Sequence, residues 1–351
     1  MRILNAIHAQ SIGGVDQVFR NYAEILAQNN HEVALLISDN GNDKYEISGV
    51  KKIFKLKNFS QIFDCLNFFW ILLKFRPDVV FCHSNRLMKW MRILKFFSCF
   101  FPLAKSVAVN HGISFKNSLH CDFVVSINQQ ISDLVVAAGH GEAKSFVLPN
   151  VIKLDQKFFK KNPKNPLVIG MYGRLEPRKG FDILIRAAEI LKKNGQDFRL
   201  KIGGFEVPGS YGWPVIKDLA KIHGIVEKCE FVGTVMDKKN FFSDVDIFCV
   251  PSREEPFGLV ILEGFLHSIL VISSDSDGGK FLIKNGENGL LFANENFSEL
   301  AEKITEILEH PQIYSQLTER AFSRLEKEFS FDFLAREMEK ILQKISSTKN
   351  D

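Results

Sequence analysis

Apolar and polar positions along this chain follow two rhythms. Short, nearly continuous apolar runs recur through residues 1–150: RILNAIH, HEVALLIS, VVFCHS, SVAVNH, DFVVSIN and FVLPN. They read as strands. Between them lie segments with a helical period; the first follows Gly13 and Gly14 and places Val18, Tyr22, Ile25 and Leu26 on one face. Strands this uniformly apolar are expected in parallel sheets, where helices cover both faces. The rhythm stops over VIKLDQKFFKKNPKNP (Val151–Pro166), a lysine- and asparagine-rich stretch without a period. It predicts an interdomain linker. The alternation then restarts: LVIGMYG, a helix from about Phe181, FRLKIGG, a helix near Trp213–His223, CEFVG, IFCVPS, LVISSD and GLLF. From Phe297 onward the pattern is amphipathic helix, interrupted at Pro311 and near Ser330.

Two βαβ arrays in series predict an α/β fold with two Rossmann-like, doubly wound domains facing across a cleft. A chain of 351 residues is also too long for most single cores. The expected division is an N-terminal domain over 1–150, a linker over 151–166 and a C-terminal domain over 167–329. A last helix over 330–351 is expected to pack back on the N-terminal domain. Ligands of open parallel sheets bind beyond the carboxyl ends of the strands, so residues just after strands are the informative ones.

Composition changes this picture little. The chain is 46% apolar and 25% charged with a net charge of +4, as a soluble globular protein would be. Its cysteines (Cys65, Cys82, Cys99, Cys121, Cys229, Cys249) are scattered without a CxxC pair, so reduced thiols are expected. MRILNAIHA has no cleavage-site grammar and argues against a signal peptide. The apolar stretches Phe59–Phe75 and Ile93–Ala104 fall short of the roughly 20 apolar residues of a spanning helix. A cytoplasmic location follows as the expectation.

Charge distribution says more than net charge. Between Lys51 and Lys105 the cations are Lys51, Lys52, Lys55, Lys57, Lys74, Arg76, Arg86, Lys89, Arg92, Lys95 and Lys105, against Asp64 and Asp78 alone. Phe68, Phe69, Trp70, Trp90, Phe96 and Phe97 are interleaved. NRLMKWMRILKFF puts cations beside a wide apolar face, the pattern of a helix lying on an anionic membrane surface. The competing reading makes the aromatics core and the cations solvated. The aromatics follow helical spacing rather than base-stacking placement, so nucleic acid is not the expected partner.

The chemistry gathers in VPSREEPFGLVILEGF (Val250–Phe265). A strand ends at Pro251–Ser252, and Pro256 suits the opening of a helix because it lacks one of the donors left unpaired there. Phe257, Gly258 and Leu259 then offer backbone N–H groups to a phosphate. Glu255 and Glu263 flank that seat and suit the hydroxyls of sugars. Either could instead be an ordinary surface charge.

The segment EPFGLVILE resembles the E-x7-E signature of retaining glycosyltransferases of family GT4, which carry the GT-B fold. YGRLEPRKGFDILIRA (Tyr172–Ala187) is similar to the family's G-R-L-x-x-x-K-G-x-x-x-L-I-x-A segment, and FVLPNVI, FVGTV, DIFCVPS and ENGLLF follow in the family's order. The resemblance covers most of the chain and is strongest over 145–295. It implies a hexosyltransferase-type enzyme that uses a nucleotide diphosphate sugar and a glycan or lipid-linked hydroxyl acceptor, with no cofactor and no metal. It assigns Arg174 and Lys179 to the diphosphate, Glu255 to the donor sugar, Glu263 to the ribose and His111 to the neighbourhood of the donor sugar. Gly13 and Gly14 resemble the family's first glycine-rich loop. His8 is a weaker site candidate, Asn150 a structural one, and Arg178 is expected to be solvated.

Asp275-Ser276-Asp277 looks like a metal-binding DxD, but it falls where the family has a turn ending in Gly278 and Gly279, whose N–H groups could serve phosphate or sugar. Gly264 replaces the family's usual alanine, and Ser268 stands where glycine is common. Two other functions fit the same architecture: a nucleotide-sugar epimerase, and a non-catalytic subunit that binds nucleotide or glycan. A dehydrogenase does not fit, because no GxGxxG follows the first strand.

Overall fold

The computed structural model describes residues 1–8, 14–39, 46–57, 60–95 and 104–348. The chain divides into two compact units, Met1–Ile152 with Ser330–Asp351, and Lys153–Phe329. In unit 1, β1 (Arg2–Ala6) leads through α1 (Gly14–Gln28), β2 (Glu32–Ser38) and β3 (Lys52–Leu56) to α2 (Gln61–Phe75). Then come β4 (Val79–Cys82), α3 (Asn85–Lys95), β5 (Lys105–Asn110), β6 (Phe123–Ser126), α4 (Gln129–Ala137) and β7 (Ser145–Val147). These strands pair in parallel in the order β3-β2-β1-β4-β5-β6-β7. The order reverses between β1 and β4, which makes that point of the carboxyl edge the expected ligand position.

Interspersed lysines hide β3 from a search for apolar runs, because it is an edge strand with one partner and four of its five residues at least partly exposed. The helix α3 departs from the interfacial expectation. Leu87, Met88, Trp90, Met91 and Leu94 are buried in the core with Phe68, Leu72 and Phe75, so its apolar face looks inward. Phe96, Phe97 and Cys99 lie outside the described residues, as does Gly13.

Unit 2 runs β8 (Leu167–Arg174), α5 (Phe181–Lys193), β9 (Phe198–Phe205), α6 (Trp213–Ile222), β10 (Cys229–Gly233) and α7 (Lys238–Phe242). It continues with β11 (Ile247–Val250), α8 (Leu259–Leu266), β12 (Leu270–Ser274), α9 (Asp277–Leu282), β13 (Leu290–Phe292), α10 (Phe297–Glu309) and α11 (Gln312–Glu328). The parallel order is β10-β9-β8-β11-β12-β13, with its switch at β8/β11. The last helix, α12 (Phe331–Ser347), is capped by the Ser330 hydroxyl and belongs to unit 1.

Much of the stretch read as a linker is pinned to unit 2. Gln156 Nε2 lies 3.0 Å from His267 Nε2, the Phe159 N–H donates to Ser268 Oγ (3.2 Å), and Lys161 pairs with the fully buried Asp246 at 3.6 Å. Ser268 has φ +56°, a backbone state that favours glycine; its hydroxyl adds the bond to Phe159 that glycine could not make. At Gly264 a Cβ would come 2.5 Å from Val271 Cγ2, so the family's alanine would not fit without a shift.

Candidate functional site

Because β8 and β11 are parallel neighbours, the segments that leave their carboxyl ends emerge at one edge of the sheet. After β8 comes a tight turn over Pro177–Lys179 that ends at Gly180, with φ +73°. A Cβ at Gly180 would sit 2.0 Å from the Pro251 carbonyl oxygen, so only glycine lets this turn press against the loop after β11. Arg253 fastens the same junction. Its guanidinium forks onto both oxygens of Asp182 (2.9 and 2.7 Å) and donates to the Pro177 carbonyl at 2.6 Å. Burial opposes ionisation of Asp182, yet the hydrogen bonds from Arg253 hold its carboxyl below the usual range.

This clamp brings Lys179 to Glu255. The Nζ and Oε2 atoms are 2.6 Å apart, and the side chains are only 14% and 12% exposed. The stem of Lys179 lies over Gly173, where a Cβ would be 3.6 Å from Lys179 Cγ. Glu254, by contrast, is exposed. Arg174 and Arg178 share one partner, Glu176, at 3.1 and 2.8 Å. Arg178 is therefore ion-paired and only partly exposed, not simply solvated, while Arg174 is the more exposed of the two.

The helix beyond Glu255 starts later than Pro256 predicts. Gly258 is its N-cap at φ +93°, and α8 begins at Leu259. The Ile261 N–H turns back to the Gly258 carbonyl at 2.8 Å, and among the described residues the amides of Gly258, Leu259 and Val260 make no backbone hydrogen bond. The Phe257 side chain is buried against Phe281 and Phe329, so it anchors the loop. The Gly278 amide is already used, donating to the Glu255 carbonyl at 2.7 Å, and a Cβ there would meet the Phe257 carbonyl oxygen at 2.2 Å. Gly278 thus holds the Glu255 loop in place and has no N–H to offer a ligand. In the DxD look-alike, Asp275 accepts from the Asn294 N–H at 2.8 Å. Among the described residues, no group of three or more His, Cys, Asp or Glu side chains could hold a metal ion.

Glu263 lies one and a half turns into α8 and is 7% exposed. Its Oε2 accepts from the Tyr172 hydroxyl and its Oε1 from Lys238 Nζ. Tyr172 is walled by Phe241, Phe242 and Phe248, and burial, reinforced by Glu263, pushes its hydroxyl well above the usual range. Lys238 belongs to no motif in the sequence; its one local signal is Asp237, which caps α7 through the Asn240 N–H.

The remaining predicted residues belong to unit 1. His111 follows β5, His83 follows β4 and His8 lies two residues beyond β1, so three histidines mark the carboxyl edge at the β1/β4 switch. His83 is buried and bonded to His111, with Nδ1 and Nε2 3.1 Å apart. Burial pushes the His111 imidazole down to about 4 and His83 well below its ordinary value. His8 is lowered by burial and by Arg86, whose Nη1 is 3.2 Å from its Nε2. Gly14 is exposed at the first position of α1. Asn150 is buried, and its Oδ1 has no partner among the described residues.

Comparison with known proteins bears on the family and the fold. Residues 153–324 match the family model described as glycosyl transferases group 1. The lipopolysaccharide core biosynthesis glycosyltransferase LpsE of Rhizobium meliloti (strain 1021) is 25% identical over 352 residues, spanning 92% of this chain and 94% of that protein. Among solved structures, a glycosyltransferase from Rickettsia africae ESF-5 superposes with a TM-score of 0.83 at 22% identity over 99% of both chains. Anabaena HepE in complex with UDP superposes with a TM-score of 0.81 at 18% identity, over 98% of this chain and 100% of that one. The fold is that of the GT-B glycosyltransferases, with two Rossmann-like sheets.

Proposed function

From the match of residues 153–324 to the glycosyl transferases group 1 family, we propose that the chain is a retaining enzyme of the GT4 branch. It moves a hexose from a nucleotide diphosphate sugar to a hydroxyl of lipopolysaccharide or another cell-surface glycan. The relative LpsE carries that glycan in its name, and HepE was solved with UDP, which supports a diphosphate donor. The observation that carries the reading is the Lys179–Glu255 pair, brought from two strands to the start of α8. Lys179, Arg174 and the first amides of α8 neutralise charge on the departing diphosphate. Glu255 accepts from hydroxyls of the donor sugar, Glu263 from those of the ribose, and His111 from a sugar hydroxyl. No metal takes part.

Lys179→Ala should lower turnover by about 10²–10³, the usual cost of one contact to a developing anion. Unchanged turnover in that variant sinks the assignment, and EDTA should leave the wild-type rate as it was. Product analysis with acceptor omitted separates transfer from epimerisation. A purified chain that neither transfers nor hydrolyses any nucleotide sugar would instead be a binding subunit.

We also propose that this enzyme works at the cytoplasmic surface of an anionic membrane, through α2 rather than α3. Among the described residues no helix is long and apolar enough to cross a bilayer. The outward face of α2 presents Ile62 (78% exposed), Leu66, Trp70 (57%) and Leu73, at helical spacing. Lys74 and Arg76 stand at its carboxyl end, and Lys51 and Lys57 flank β3 beside it, where Phe54 packs on Phe75. Such a face suits insertion at a headgroup boundary, with about 1 kcal/mol per nearby cation. Co-sedimentation should require anionic lipid in the vesicle; equal binding to neutral vesicles, or none to either, refutes it.

A further inference from the structure

Three polar side chains at the β1/β4/β5 edge of unit 1 form a hydrogen-bond chain whose direction can be worked out atom by atom. It starts at the Phe19 carbonyl of α1, which can only accept. The Asn5 group 2.8 Å from it is therefore the amide Nδ2, and Asn5 Oδ1 faces the other way. That oxygen lies 2.9 Å from His83 Nε2 and also can only accept, so His83 Nε2 carries a hydrogen. A neutral His83 then has a bare Nδ1. Its partner 3.1 Å away, His111 Nε2, must be the donor in turn. A neutral His111 with its hydrogen on Nε2 keeps the lone pair on Nδ1.

The surroundings favour the neutral rings this sequence of assignments needs. Asn5 and His83 are buried, and Phe19 and Tyr22 meet the His83 ring edge-on, with centroids at 5.6 and 5.2 Å. The His83 amide is bonded to the Ala6 carbonyl at 2.9 Å, which fixes the ring's backbone to β1. The His83 and His111 rings are inclined by 26° with centroids 5.3 Å apart, close to the separation of two rings bonded edge to edge, and turning His111 over would put a carbon in place of Nε2 and break the chain. Burial lowers the affinity of both rings for a second proton. Among the described residues, Nδ1 of His111 has no hydrogen-bond partner.

We infer that Asn5 and His83 are positioning residues that set the tautomer of His111, committing Nε2–H inward and keeping Nδ1 as an acceptor. His111 is then chemically limited. It can receive a hydrogen bond from a substrate hydroxyl, but it cannot donate one to a phosphate or ring oxygen. Given the reading of His111 as a contact to the donor sugar, this narrows its partner to an O–H group of that sugar. A donor with that hydroxyl removed or methylated loses the contact.

The test uses the full chain labelled with ¹⁵N-histidine, with His111→Ala to assign the His111 signals. At neutral pH the wild-type His111 Nε2 should show the shift of a protonated nitrogen and Nδ1 that of a bare one. A protonated Nδ1 overturns the inference outright and needs no variant to show it. His83→Phe keeps a ring beside Phe19 and Tyr22 but removes the acceptor that faces His111. It should convert the single His111 tautomer to a mixture and lower kcat/KM for the donor about tenfold, with the acceptor KM unchanged. An unaltered tautomer in folded His83→Phe also overturns the inference. If His83→Phe mixes the tautomers while His111→Ala leaves donor kinetics untouched, the chain stands and the assignment of His111 to the donor sugar fails.

Discussion

Glu263 shows what a single residue owes to its neighbours. Held by Tyr172 and Lys238, it is a carboxylate whose direction is set before any ligand arrives. Each oxygen still has a lone pair for a ribose hydroxyl. Lys238→Ala should raise the donor KM about tenfold with little change in kcat, because it loosens a ground-state contact. Tyr172→Phe should cost about 1–3 kcal/mol in urea unfolding, since a buried carboxylate loses a hydrogen bond. An unchanged donor KM in Lys238→Ala would separate Glu263 from the donor. The spacing of Glu255 and Glu263 was readable in the chain. Tyr172 was readable only as part of a motif, and Lys238 not at all, because its side chain reaches a partner 25 residues on.

At the scale of elements, glycines and helix faces decide the outcome. Gly180 and Gly278 allow two loops to approach backbone to backbone, and a Cβ at either would meet a carbonyl oxygen at 2.0 or 2.2 Å. That closeness fixes where Glu255 points. Periodicity marks a helix as amphipathic without saying whether its apolar stripe meets core or water. For α3 the stripe is core. For α2 apolar residues lie on both sides, with Phe68, Ile71 and Leu72 inward and Ile62, Leu66, Trp70 and Leu73 outward. Replacing Leu66 and Trp70 together with serine should weaken vesicle binding at least tenfold while the melting temperature holds. Retained binding in that variant would remove α2 from the membrane-contact proposal.

At the scale of the whole molecule, the last helix crosses the chain's own division. Leu334, Met338, Ile341, Leu342 and Ile345 of α12 are buried in unit 1. Lys105 Nζ donates to the Ile345 carbonyl at 2.7 Å, and Glu339 lies 2.7 Å from His31 Nε2. At about 1.5–3 kcal/mol per buried side chain, their loss rivals the whole stability of a domain, about 5–15 kcal/mol. Truncation before Phe331 should therefore leave unit 1 open to proteolysis while a fragment near Lys153–Phe329 survives. Equal resistance of both units would contradict this.

Local pattern by itself determined the alternation of strand and helix, the parallel character of both sheets, the three closing helices and the seven-residue gap between the two glutamates. Each depends on neighbours a few positions apart. The edge strand β3 escaped because one-sided burial leaves no apolar run. Only the tertiary structure decided that Tyr172 meets Glu263 across 91 residues, that His83 is bonded to His111, and that Gly278 is occupied by the Glu255 loop. Those pairings follow from which strands lie side by side, and strand order is not written in any local period.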